Sequence, residues 1–204
     1  GGEDWKLWID ALSSADVLNK GCTTVAYSYI GPELSHAIYR DGTIGQAKKD
    51  LEATARVLNE QLKKSVDGEA YVSVNKGLVT RSSAVIPIIS LYLSVLFKVM
   101  KEKGLHEGCI EQMERLFAER LYTGENNSKG KIPCDSENRI RIDDWEMRED
   151  VQSEVASLMS GVTQENLAER CDLEGYKHDF LNINGFDVEG VDYSKDITDM
   201  SSLD

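Results

Sequence analysis

The chain has 204 residues, 41% apolar and 29% charged, a balance that belongs to a globular protein with a core and not to a disordered one. A formal net charge of −13 argues against a nucleic-acid partner, because phosphate binding needs a basic footprint. The most apolar stretch, Val85 to Met100, contains Pro87 and Lys98 and reads as a core helix, so no membrane span is expected.

The opening Gly1-Gly2-Glu3-Asp4-Trp5 lacks an initiator Met and runs straight into a helical pattern, as expected of a piece cut from a longer chain. Apolar residues at 5, 8, 9, 12 and 17–18 predict an amphipathic helix over Asp4 to Leu18. The β-branched and aromatic run Thr23 to Ile30, closed by Gly31-Pro32, predicts a strand. A helix from about Ile44 to Lys64 follows, with Thr43 and Gln46 as a capping box and a stripe of Ile44, Ala47, Leu51, Ala55, Leu58 and Leu62. Asp67-Gly68 breaks the chain before a second strand, Ala70 to Val74. Strand, helix, strand is the rhythm of a parallel α/β sheet, although two strands are too few for a complete one.

Beyond Thr80 the pattern turns helical, with helices over Ile86 to Lys103 and His106 to Tyr122. The polar segment Thr123 to Gly130 is the best internal boundary, dividing the chain into 1–122 and a helical region, 123–204. Within that region Arg139 to Ile142 resembles a short extended piece. Asp143 is placed to cap a helix over Asp144 to Ser160, Thr163 or Gln164 to start another, and the acidic tail from Ser194 reads as frayed. Cys22, Cys109, Cys134 and Cys171 are scattered without ligand spacing. They read as reduced, inert thiols, and no metal is expected.

The segment Tyr39 to Lys48 carries the strongest chemical signal. Lys48 projects from the apolar side of its helix, whereas Lys49 lies with the polar positions Glu52 and Arg56. A buried ammonium needs an anionic or hydrogen-bonding receiver; otherwise Lys48 snorkels, its stem packed and its head in water. A phenol has a pKa of about 10. A cation within about 4–6 Å lowers such a pKa by about 1–3, so Tyr39 with Lys48 reads as a general-acid pair. His36 reads as a surface or capping residue, His106-Glu107 lacks the second His of a zinc helix, and Asp143, Asp144 and Glu146 read as the acidic start of a helix.

The spacing Tyr-x8-Lys is preceded by Tyr27-Ser28-Tyr29-Ile30-Gly31-Pro32-Glu33 and followed by Asn75-Lys76-Gly77-Leu78-Val79-Thr80. With Gly104 to Gln112, Arg139 to Asp150 and Gly190-Val191-Asp192-Tyr193, it resembles the trans-2-enoyl-CoA reductase family. That family includes the single-chain NADH-dependent enoyl-acyl-carrier-protein reductases; ordinary short-chain dehydrogenases use Tyr-x3-Lys instead. The resemblance covers nearly the whole chain. It implies the C-terminal part of a Rossmann-type parallel sheet with a helical substrate lid, Ala84 to Met100, and a helical C-terminal region. It implies an oxidoreductase of fatty-acid synthesis that reduces the 2,3 double bond of an enoyl thioester with NADH. Tyr39 is then the proton donor and Lys48 the cofactor-holding cation, with Gly77, Leu78 and Val79 against the cofactor and Tyr29 and Thr80 toward the substrate. The expected partner is an acyl thioester of coenzyme A or acyl carrier protein, and the expected protein a cytoplasmic monomer (mitochondrial in a eukaryote). NADPH is the alternative reductant, and flavin is not expected. The rival reading is a non-catalytic helical docking module that retains the motif.

Two departures stand out. The family usually has Ala where Gly77 stands, and Gln-Ala-Ser-Ser where this chain has Arg81-Ser82-Ser83-Ala84. The glycine-rich turn that cradles a pyrophosphate in dinucleotide folds is not found in this sequence.

Overall fold

The computed structural model describes residues 1–86, 88–125, 128 and 130–196. Helix α1 (Glu3–Ser14) stops where Asp16 takes a left-handed φ of 55°, before Val17 and Leu18, which the apolar periodicity assigns to it. Strand β1 (Thr23–Ser28) ends two residues short of Ile30. A 3-10 turn over Glu33–Ser35 leads into the one-turn helix α2 (His36–Tyr39). Helix α3 (Thr43–Val66) has Gly42 at its N-cap and no side-chain cap. The Thr43–Gln46 capping box does not form, because Thr43 is already helical. Its far end is closed by Asp67 at φ 54°, a conformation Asp tolerates, and by the Gly68 N–H donating to the Leu62 carbonyl at 3.0 Å.

Strand β2 (Glu69–Val74) pairs parallel with β1, Thr23 opposite Glu69 and Ser28 opposite Val74. On its other side β2 pairs, again parallel, with β3 (Arg139–Arg141), Val72 opposite Arg139. Among the described residues the sheet therefore has three strands in the order β1-β2-β3, and the third arrives from beyond the polar linker. This is a partial Rossmann-like α/β fold. Every residue of β2 after Glu69 is buried, as in a parallel strand covered on both faces.

Ile9 of α1 and Leu58 and Leu62 of α3 pack on Ala70 of β2. Against Tyr71, Ile140 and Ile142 lie Leu116 of α5 (Cys109–Leu116) and Leu121 of the π-helical turn Phe117–Leu121 that continues it. Helix α5 thus begins at Cys109 rather than His106, with Glu111 accepting from the Gly108 N–H at 3.1 Å. Helix α4 (Ile89–Glu102) begins three residues later than its apolar run, because Ile88 sits at φ 65°, off the helical path. Its buried face packs against Val151 and Val155 of α6 (Glu149–Ser160), and against Tyr29, Tyr39 and Val79, which follow the first two strands.

Residues 144–147 form a turn, not the start of α6, and Asp143 does not cap that helix; its carboxylate accepts two bonds from Arg141, at 2.8 and 2.6 Å. The next helices are α7 (Leu167–Arg170) and α8 (Leu173–Asn182), the latter capped by Asp172, so neither Thr163 nor Gln164 starts one. Of the acidic tail, residues 197–204 lie outside the described residues. The four cysteines are free thiols; burial pushes the Cys134 thiol up to about 11. Among the described residues no helix is long and apolar enough to cross a membrane.

A buried ion pair fixes α5 to the end of β3. Arg115 reaches Glu107 at 2.5 and 2.9 Å, donates to the Ile142 carbonyl at 2.8 Å and stacks 4.1 Å from the Trp145 ring. Removing Glu107 takes both bidentate bonds from the buried guanidinium and leaves the half-exposed Asp144, at 2.8 Å, as its nearest countercharge. Glu107→Ala is expected to cost about 3–5 kcal/mol in the unfolding free energy measured by denaturant titration. Glu107→Gln, which keeps an acceptor for Arg115, is expected to cost less.

Candidate active site

Parallel strands end side by side, so the residues that follow them gather at one edge, where open α/β sheets bind ligands. Tyr29 follows β1, Asn75 to Gly77 follow β2, and Ile142 to Glu146 follow β3. The Asn75 N–H donates to the Ser28 carbonyl at 2.8 Å and the Ile142 N–H to the Val74 carbonyl at 3.0 Å, so the three ends stay in register past the strands.

Tyr39 closes α2 and Lys48 lies in the second turn of α3. They meet because the intervening turn is unusually tight. Gly45 lets α3 press against the preceding backbone, where a Cβ would run into the Arg40 carbonyl, and a Cβ at Gly42 would lie 2.8 Å from the Ala37 carbonyl. The Lys48 ammonium donates to the Tyr29 carbonyl and sits 4.4 Å from the Tyr39 ring centroid and 5.6 Å from that of Tyr29. The two rings meet edge to face at 4.9 Å. Lys48 therefore has a receiver and is not a snorkelling surface lysine. Desolvation lowers its pKa to about 8, partly countered by Glu52.

The expected effect of Lys48 on Tyr39 does not occur. The ammonium sits over the Tyr39 ring, and burial raises the Tyr39 pKa above that of an ordinary phenol. Tyr39 is 7% exposed, and among the described residues nothing bonds its hydroxyl. His36 is half-buried, with Nε2 at 3.3 Å from the Gly31 carbonyl.

The main residue that sequence reasoning missed is Glu146. It lies in the turn after β3, is fully buried, and is not at a helix start. Its Oε1 accepts from the hydroxyls of Tyr29 at 2.9 Å and Tyr92 at 2.6 Å, and its Oε2 from the Gly77 N–H at 2.6 Å. Burial raises its pKa against the pull of these bonds and of Lys76. Burial and the adjacent carboxylate together hold the Tyr29 and Tyr92 phenols well above their ordinary range. A lone Glu between Trp145 and Met147 is the one signal available in sequence, and it is a weak one.

Lys76, also buried, donates to the carbonyls of Gly77 at 3.1 Å and Glu107 at 2.9 Å; desolvation lowers its pKa to about 8. Gly77 is enclosed, since a Cβ there would meet Leu93 Cδ2 at 2.8 Å. Leu78 is half-buried and Val79 buried, and both line a cavity of about 750 Å³. Thr80 is exposed, its N–H donating to Ser83 Oγ at 2.8 Å. The geometry thus brings Tyr29, Tyr39, Lys48 and Gly77 into one linked cluster, with Leu78, Val79 and Thr80 leading away from it.

Residues 1–122 match the model of the trans-2-enoyl-CoA reductase catalytic region, and residues 134–197 that of the enoyl reductase FAD binding domain. The trans-2-enoyl-CoA reductase (NADH) of Brachyspira hyodysenteriae is 59% identical over 197 residues, which are 97% of this chain and 49% of that protein. The enoyl-acyl-carrier-protein reductase (NADH) of Cytophaga hutchinsonii is 58% identical over 204 residues, 100% of this chain and 50% of that one. The chain spans about half the length of the curated relatives it matches. Trans-2-enoyl-CoA reductase of Treponema denticola, solved in complex with NAD, superposes with a TM-score of 0.88 at 61% identity, covering 97% of this chain and 48% of that one.

The Lys48 environment makes a prediction independent of function. In the chain labelled by reductive ¹³C-methylation, the Lys48 resonance is expected to titrate near pH 8, against about 10.4 for exposed lysines. The amine is charged below that midpoint and neutral above it, and Lys48→Arg removes the signal.

Proposed function

The chain belongs to the trans-2-enoyl-CoA reductase family, and from that premise we propose that it is the C-terminal half of an NADH-dependent reductase acting on trans-2-enoyl thioesters. The observation that carries this reading is the convergence of Tyr39, Lys48 and Tyr29 at the carboxyl end of a parallel sheet. The relatives' names include both carriers, so the substrate is an acyl thioester of coenzyme A or of acyl carrier protein, and the product serves fatty-acid synthesis.

When bound, NADH supplies the hydride for the β-carbon of the enoyl thioester. Tyr39 stays protonated because burial opposes its ionisation, and its unclaimed hydroxyl meets the thioester oxygen as negative charge grows there. The residues present fit the nicotinamide end of the dinucleotide. The Lys48 ammonium has one hydrogen-bond acceptor among the described residues, the Tyr29 carbonyl, which leaves N–H groups for ribose hydroxyls. Gly77 to Val79 offer strand-end backbone beside it, while Tyr29 and Thr80 border the acyl side. Val85, 81% exposed, and Ile88, 50% exposed, offer apolar surface for an acyl chain at the start of the lid.

In this reading residues 1–122 are the catalytic part with its lid, and 123–204 a mainly helical region whose β3 joins the sheet. The rest of the protein supplies further strands at the free edge of β1 and the pyrophosphate turn. NADH is taken over NADPH because the relatives are named for it. The bacterial relatives support a cytoplasmic enzyme, and we take it to act as a monomer.

In the full-length protein, Tyr39→Phe is expected to lower crotonyl-CoA-dependent NADH oxidation by about 10²–10⁴-fold; undiminished turnover would remove the acid from this reading. The KM for NADH is expected to rise between pH 7 and 9, as Lys48 loses its charge through about 8. Lys48→Arg, charged throughout, is expected to flatten that rise.

A further inference from the structure

Three donors converge on one enclosed carboxylate. The hydroxyls of Tyr29 and Tyr92 bond Glu146 Oε1, at 2.9 and 2.6 Å, and the Gly77 N–H bonds Oε2 at 2.6 Å. The side chain of Gln152 holds the turn from behind, donating to the Glu146 carbonyl at 2.7 Å and to the Tyr92 hydroxyl at 3.2 Å. Glu146 is itself fully buried, yet it bonds one residue assigned above to the substrate side, Tyr29, and one assigned to the cofactor side, Gly77.

We propose that Glu146 is a positioning residue that fixes the hydrogen-bonding sense of Tyr29, an inference that rests on the reductase reading above. Tyr29 and Tyr39 are two phenols in edge-to-face contact, and each carries a hydroxyl proton. The carboxylate breaks that equivalence. A carboxylate can only accept, so the Tyr29 proton is committed to Oε1 and the Tyr29 oxygen turns only lone pairs toward the cleft. Tyr29 receives a hydrogen bond there and gives none. The Tyr39 hydroxyl, unclaimed among the described residues, is left as the phenolic donor. A residue 117 positions away from Tyr29 in sequence thus decides which tyrosine is the acid.

The test uses the full-length protein with crotonyl-CoA and NADH. In Glu146→Gln the carboxamide oxygen stays with the Gly77 N–H, which can only donate. The carboxamide nitrogen then faces the Tyr29 hydroxyl, which reverses to accept. The Tyr29 proton is released into the cleft. With Tyr39 intact, Glu146→Gln is expected to lower kcat about tenfold while leaving the KM for NADH within about twofold. In the Tyr39→Phe background the same substitution is expected to raise the residual rate, by about fivefold or more, because a second phenol now donates. A carboxylate that only supports the fold would lower the rate in both backgrounds, and an unchanged or lowered rate in the Tyr39→Phe background overturns the proposal. As a second arm that leaves the carboxylate in place, Tyr29→Phe is expected to cost less than about tenfold in kcat. A loss as large as that of Tyr39→Phe also overturns it. A wild-type protein inactive on crotonyl-CoA overturns the reductase reading and this inference together, whereas an active wild type with the wrong response to Glu146→Gln overturns this inference alone.

Discussion

The carboxyl edge of this sheet is organised by the need to satisfy one buried carboxylate. An ionised carboxylate out of water is tolerated only where donors surround it. Glu146 draws those donors from the residue after β1, from Gly77 after β2, and from Tyr92 on α4, while itself standing after β3. Satisfying one charge therefore holds the ends of all three strands together and pins α4 over them. Lys76 stands behind Gly77 as a countercharge, its own ammonium bonded to two carbonyls. The neighbouring Arg115–Glu107–Asp144 network does similar work one layer away, binding α5 to the same turn. A purely apolar junction of the same volume would pack as well without fixing which atoms face the cleft.

Lys48 is held by a different balance. Its ammonium is partly desolvated, which depresses its pKa, and it recovers interaction energy from one carbonyl and from the faces of two aromatic rings. Tyr39 does not become a stronger acid because burial of the phenol raises its pKa. Lys48 gives the cleft a positive charge without drawing the proton off Tyr39, which is the protonation state a donor needs.

Much of this was legible in the sequence. The strand–helix–strand rhythm and the long α3 follow from periodicity and turn chemistry, since each depends on residues close together in the chain, whereas the Tyr39–Lys48 pairing takes its weight from the family resemblance. The misses are of another kind. The apolar stripe extends α1 to Leu18, and Leu18 does pack on the same core as Ile9, but the backbone has turned away at Asp16 before it arrives. The apolar run likewise starts α4 at Ile86, where backbone conformation at Ile88 delays it to Ile89. β3 is three residues long and pairs with a strand more than sixty positions earlier, so local pattern shows an extended piece but not its place in the sheet. Glu146 was misread for the same reason. Three acids within four residues look like a helix start, and only long-range contacts separate Asp143, paired with Arg141, and Asp144, paired with Arg115, from the enclosed Glu146.

The chemistry of the β1 edge of the sheet marks it as a surface to be covered. Among the described residues β1 has a single strand neighbour, and beside it lies a hollow of about 370 Å³ lined by Val25, Tyr27, Phe117 and Tyr122. Tyr27 is 56% exposed, and Phe117 and Tyr122 stack at 5.7 Å with much of their surface in solvent. Unpaired strand edges and clustered exposed aromatics are liabilities that proteins usually cover. The chain spans half of its relatives, so in the reductase reading this edge is where the remaining strands add. The pyrophosphate turn then stands across β1 from Lys48, and the dinucleotide bridges the two halves. In that reading Tyr39 as the acid and Lys48 as the ribose-holding cation come from this half, whose strand ends Glu146 ties together.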